Sequence, residues 1–287
     1  QAAQECDCDF ITSGMSVVDG KILEWYQQTF CQDPVEKRGV DSNYWIWEYP
    51  NPNKTYVVSA DVARGDGSDY SALHVIDIDN LTQVAEYKGK LSTKEFGNLL
   101  VNTATEYNDA LLIVENNNVG WAAIQQCIDR DYKHLFYSSR DLKYVDTANQ
   151  MTNKYRNEDK KMIAGFSTTI KTRPLVVDKM DEYFRARDVV VRSKRLIDEL
   201  FTFIYENGKA QAMQGAHDDL VMSLCIGLWV RDTALRLHTE GMDLQKKMLG
   251  NVGAAELVYS DKDTKKNDSW EWSPDGKNPE DLTWLIK

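Results

Sequence analysis

The sequence predicts an α/β domain: a mixed sheet, an antiparallel meander plus parallel strands, flanked by helices. Three observations predict it. Three short apolar or β-branched runs follow one another across Gly- and Asp-containing turns, at Tyr56–Ala60, Ser71–Ile78 and Val84–Lys90, as in a meander. A fourth run, Leu111-Leu112-Ile113-Val114, is apolar at every position, as a strand covered on both faces must be. Helical spacing brackets that run, at Ser92–Tyr107 before it and Val119–Ile128 after it, so helices lie on the faces of the sheet.

Each element has its own local reason. Residues 1–54 form an acidic segment with an aromatic patch, Tyr44-Trp45-Ile46-Trp47, and a turn at Pro50-Asn51-Pro52-Asn53. Ser92 and Glu95 have the spacing of a capping box, which predicts a helix start there. Pro174–Ala186 reads as a helix and Val189-Val190-Val191 as a short strand. Leu196–Phe203 fits helix and strand equally well. His217–Leu235 is a strongly apolar helix. The expected organisation is an N-terminal segment over 1–54, a domain over 55–240 and a polar, mobile tail over 241–287. Trp270, Trp272 and Trp284 in that tail either fold back onto the domain or anchor a partner.

Composition sets outer limits. The chain has 287 residues, 42% hydrophobic and 28% charged, enough apolar content for a sizeable core. No apolar run nears the roughly 20 residues of a membrane span, and no basic-then-apolar leader is visible, so neither membrane nor secretion is expected. The start at Gln1 suggests a piece of a longer protein. Five cysteines, Cys6, Cys8, Cys31, Cys127 and Cys225, show no Cys-x-x-Cys spacing, which speaks against a zinc site or disulfide framework. The net charge of −11 argues against indiscriminate coating of nucleic acid. The stretch Lys133–Arg195 nevertheless holds 15 Lys and Arg against eight Asp and Glu, a candidate face for phosphates. Its candidate DNA contacts are Lys154, Arg156, Lys160, Lys161, Lys171, Arg173, Arg192, Lys194 and Arg195.

The candidate chemistry lies in acids at the ends of apolar elements. Asp61 follows Val58-Ser59-Ala60, Glu115 follows Leu111–Val114, and Asp218-Asp219 opens the last apolar helix. If the first and fourth strands are neighbours, Asp61 and Glu115 project side by side and the helix can add Asp219. Gathered carboxylates repel and call for cations, and their oxygens suit Mg²⁺ or Mn²⁺. Two such ions support phosphodiester hydrolysis. Asp218 could cap the helix while Asp219 serves as ligand; Asp218 remains a candidate ligand. A calcium-binding loop at Asp61–Asp69 is the non-enzymatic rival, but position 12 of such a loop is Ala72 here instead of the closing Glu.

Three segments together resemble the nuclease motifs of tailed-phage large terminase subunits. They are Ser59-Ala60-Asp61-Val62-Ala63-Arg64-Gly65-Asp66-Gly67-Ser68-Asp69-Tyr70-Ser71, then Leu112-Ile113-Val114-Glu115-Asn116-Asn117, then Gly215-Ala216-His217-Asp218-Asp219-Leu220. Gly165-Phe166-Ser167-Thr168-Thr169 with Thr172-Arg173-Pro174-Leu175 is similar to the family's connecting segment, and Gln4–Phe10 to the sequence just after its motor domain. The resemblance implies an RNase H-like fold and a metal-dependent endonuclease cutting concatemeric viral double-stranded DNA. Asp61, Glu115 and Asp219 would be both catalytic residues and metal ligands. It implies a motor domain, a portal and a small terminase subunit as partners, in the host cytoplasm during virus assembly. No Gly-x-x-x-x-Gly-Lys-Ser/Thr string is present, so no ATP site is expected. A Holliday-junction resolvase or transposase-type nuclease shares the same metal chemistry, and a domain that only docks DNA is the duller rival.

Overall fold

The computed structural model describes residues 16–39, 41–67, 69–117, 119–139, 162–232, 271–272 and 280–281. The chain divides into two compact units, 1–239 and 240–287. Among the described residues no helix is long and apolar enough to cross a membrane.

The first helix described, α1 (Gly20–Thr29), is capped by Asp19, whose carboxylate accepts from the Lys21 N–H. Strands β1 (Glu36–Arg38) and β2 (Tyr44–Ile46) follow, then β3 (Tyr56–Asp61), β4 (Ser71–Asp77) and β5 (Thr82–Gly89). Helix α2 (Thr93–Glu106) leads to β6 (Leu111–Val114) and α3 (Gly120–Asp129). Strands β7 (Tyr137–Ser139) and β8 (Met162–Ala164) pair antiparallel. Helices α4 (Thr172–Ala186) and α5 (Lys194–Phe201) precede the hairpin β9 (Phe203–Glu206) and β10 (Lys209–Ala212). A last helix, α6, is described over 219–232. In the second unit β11 (Glu271–Trp272) pairs antiparallel with β12 (Glu280–Asp281); the side chains of the tail tryptophans lie outside the described residues.

Six strands form one sheet in the order β1-β2-β5-β4-β3-β6. Every neighbouring pair is antiparallel except β3 with β6, which run parallel. The meander and the doubly covered fourth strand expected from the sequence are therefore present. The expected boundary at 54 falls between β2 and β3, inside one sheet: the described part of 1–54 supplies two strands, and α1 packs Leu23 and Tyr26 into the core.

Strand side chains alternate between faces, and two cores result. Val57, Ala72, Ile76 and Ile113 pack with residues of α1, α4, α5 and α6 on one face. Val58, Ala60, Leu73, Leu112 and Val114 pack with Phe96, Leu100 and Ile124 of α2 and α3 on the other. Helix α6 lies flush on the first face. A Cβ at Gly227 would stand 2.6 Å from Ser59 Oγ and 2.9 Å from Ile76 Cδ1, so any larger residue would make these side chains shift. Ser223 Oγ donates to the Ser59 carbonyl at 2.9 Å.

Local devices account for the remaining boundaries. The Ser92–Glu95 capping box is formed at α2. Helix α4 starts two residues before Pro174, which a first turn tolerates because the missing N–H has no partner there. Leu196–Phe203, undecided from the sequence, is helix to Phe201 and strand from Phe203. The hairpin that follows turns on Asn207-Gly208, with φ 50° and 75°, the positive pair that a type I′ turn requires. Val190 makes a parallel bridge to Thr82 where a short strand was expected.

Candidate metal centre

The parallel pairing of β3 and β6 sets Ala60 opposite Val114. The next residue on each strand is an acid, Asp61 and Glu115, and the Glu115 N–H continues the ladder to the Ala60 carbonyl at 2.9 Å. Val57 and Ile113 face the α6 core. Asp61 and Glu115 lie an even number of residues further along their strands, so alternation sends both acids to the α6 side. Helix α6 contributes Asp219 from its first turn. The Asp61 carboxyl feels the charge of Glu115 most strongly, then those of Asp219 and Asp218.

The electrostatics follow from crowding. Burial, then the charge and hydrogen bond of Glu115, then Asp219 and Asp218, raise the Asp61 carboxyl well above the ordinary carboxylate range. Asp219 is pushed up to about 6 by burial, against the pull of Lys88, the Tyr70 N–H and His217. The Tyr70 N–H donates to Asp219 Oδ2 at 3.4 Å, and His217 Nδ1 stands 3.8 Å from the same oxygen.

Neighbouring side chains fix each acid. Asn117 Nδ2 donates to Glu115 Oε2 at 2.9 Å, while its Oδ1 accepts from the Val119 and Gly120 N–H groups at the start of α3. That double use determines which way the amide points. Asp218 accepts from Arg173 Nη2 at 2.5 Å. The carbonyl of Asp218 takes the first helical bond, from the Met222 N–H at 2.8 Å, so it occupies the backbone cap position. The carboxylate that caps α6 is instead Glu199, which accepts from the Leu220 and Val221 N–H groups at 2.9 and 3.2 Å. Glu199 in turn binds Lys88 at 2.5 Å. Burial pushes Glu199 up to about 7, although Lys88 opposes this.

Among the described residues, no group of three Asp, Glu, His or Cys side chains is arranged to hold a metal ion as it stands. The donor chemistry nonetheless fits a hard divalent cation. Asp61 is crowded by the Glu115, Asp219 and Asp218 charges, and carboxylate oxygens are the donors such a cation takes. Asp61, Glu115 and Asp219 would hold it, with Asp218 adjoining but occupied by Arg173.

The basic candidates divide. Lys154, Arg156, Lys160 and Lys161 lie outside the described residues. Lys171, before α4, and Lys194, at the start of α5, are exposed. Arg173 serves Asp218 and the Ala210 carbonyl. Arg192 and Arg195 are half-buried, and their guanidinium groups pair with acids of the fold. Arg192 pairs with Glu48 at 2.5 Å. Arg195 pairs with the fully buried Glu86 at 2.8 Å and lies 3.7 Å from the centre of the Trp45 ring. Glu86 also accepts from Gln83, which contacts the buried His74. The sequence reading missed Lys88, Tyr70, Asn117 and Glu199. Their one advance signal was position: Tyr70 lies in the turn after Asp61, and Asn117 two residues after Glu115.

The fold has solved counterparts. The large terminase nuclease from thermophilic phage G20c, with bound cobalt and with bound magnesium, matches at a TM-score of 0.54 and 18% identity, covering 75% of this chain and 96% of the other. A further structure of that nuclease matches at 0.52 and 19% identity, covering 74% and 97%. No family model matches the sequence. The fold class is therefore the mixed sheet flanked by helices that the sequence predicts, with six strands. In particular, it is the fold of a large terminase nuclease domain.

Proposed function

We propose that this chain is the metal-dependent endonuclease of a viral DNA-packaging terminase, cutting concatemeric double-stranded DNA when packaging begins and ends. One observation carries the reading: acids from β3, β6 and the head of α6 converge on one face of the sheet. The phage G20c nuclease that shares the fold has been solved with magnesium and with cobalt, which supports a divalent ion here; we take it to be Mg²⁺ or Mn²⁺, two in number. When bound, such ions activate water and neutralise the leaving oxygen. The chain's own residues orient the ligands: Asn117 holds Glu115, while the Tyr70 N–H and Lys88 steady Asp219. Lys171 and Lys194 remain candidate phosphate contacts. The motor, the portal and the small subunit are the proposed partners, in the host cytoplasm.

The test is a supercoiled plasmid incubated with the protein in Mn²⁺, Mg²⁺ or EDTA, beside Asp61→Asn. Nicking and linearisation are expected with either metal, and none with EDTA. The variant should fold and fail to cut, because the amide keeps the shape but loses the charge that holds a cation. An intact plasmid at every metal concentration sinks the reading.

A further inference from the structure

A basic ledge adjoins the acid cluster on the β5 side. Lys88 and Lys90 stand two residues apart at the end of β5, and their ammonium groups lie 4.8 and 4.9 Å from the centre of the Tyr70 ring. His217 meets the same ring edge-on, with centres 5.1 Å apart. The Tyr70 N–H donates to Asp219, and His217, whose Nδ1 stands 3.8 Å from the same carboxylate, meets the Tyr70 ring, so the residue adjoins the cluster. The two lysines play different parts. Lys88 is largely buried and bound to Glu199, whereas Lys90 is exposed. The Arg64–Gly65 turn leans on the same place: a Cβ at Gly65 would stand 2.3 Å from the carbonyl oxygen of Leu91, the residue after Lys90. Arg64 is exposed as well. Asp66 and Asp69 share that turn, so the feature is a local contact and not a long basic stripe.

An acid cluster beside a small cationic ledge suits a polyanion with regularly spaced charges. One phosphate is brought to the acids through their cation, and its neighbour on the strand is held by the ledge. We propose that Lys90, set on the Tyr70 ring, holds a backbone phosphate next to the one that is cut. The proposal rests on the nuclease reading for the identity of the polyanion. It moves one point of grip from the 133–195 region, where the sequence placed all of them, to the end of β5.

The test measures binding separately from cutting. Short fluorescein-labelled duplexes of two unrelated sequences are titrated with the protein in Ca²⁺ across a salt series. Wild type is compared with Lys90→Ala, Lys90→Arg and Lys37→Ala, the last an exposed lysine on edge strand β1. Lys90→Ala should lower the slope of log affinity against log salt by about 0.9, which amounts to roughly eightfold weaker binding near 0.1 M salt. The loss should be equal on both sequences, as for any phosphate contact. Lys90→Arg should restore the slope, Lys37→Ala should leave it unchanged, and melting curves should coincide. An unchanged slope in Lys90→Ala overturns the ledge whatever the plasmid assay shows, and so does a wild type that does not bind. Lys90-dependent binding with an uncut plasmid supports the ledge and rejects the nuclease.

Discussion

Asp219 sits in a field of mixed sign: burial raises its carboxyl, whereas Lys88, the Tyr70 N–H and His217 lower it. Unfolded, it would titrate near the ordinary carboxyl value of about 4; folded, it titrates at about 6. Between those values the folded chain keeps a proton that the unfolded chain has released, so this group's contribution to stability falls as pH rises through the window. Asp219→Asn removes the titration. In EDTA the variant should therefore gain on wild type by on the order of 2 kcal/mol between pH 4 and pH 7. Urea unfolding of both proteins at the two pH values checks this, and a constant difference would refute it. Asp61 and Glu115 were legible in the sequence because each follows an apolar strand. The partners that hold them were not, since Asn117 and Lys88 carry no pattern that separates a positioning side chain from a surface one.

The element on which the site depends most is α6, and its first turn is secured from outside the helix. Glu199 on α5 receives two of its free N–H groups, and Lys88 on β5 steadies that carboxylate. Glu199→Ala should cost about 1–2 kcal/mol, as the loss of a cap does, and should abolish hydrogen-exchange protection at Leu220 and Val221 first. Glu199→Gln, which keeps one acceptor oxygen, should lose less. Protection at those amides that survives the alanine variant would show that the cap lies elsewhere. Elements with a single period or a local cap were legible: the meander, the strand at Leu111–Val114 and the helix after Ser92. The segment Leu196–Phe203 was not, because its apolar positions serve a short helix and then the first residue of a hairpin strand. The turn that decides the matter, Asn207-Gly208, lies beyond that window.

At the scale of the whole molecule the chain forms two compact units, and the candidate site belongs entirely to the first. A chain ending at residue 239 should fold cooperatively and keep plasmid cutting, while packaging in a complete motor assay should fall if the tail tryptophans anchor a partner. Loss of cutting in the truncated protein would place the tail within the nuclease. Charge was the poorest guide at this scale. Counting Lys and Arg along 133–195 cannot reveal that Arg192 and Arg195 are paired within the fold, since their acids Glu48 and Glu86 lie 144 and 109 residues away in sequence. The same long reach governs when the site comes into being. Tyr70 and Asp219 meet across 149 residues of chain, and a protein is synthesised and folds from its N-terminus. Asp61 and Glu115 leave the ribosome well before the helix that brings the third acid. Under the proposed nuclease reading, every nascent chain is then harmless to the nucleic acid around it until that helix has emerged and docked on the sheet.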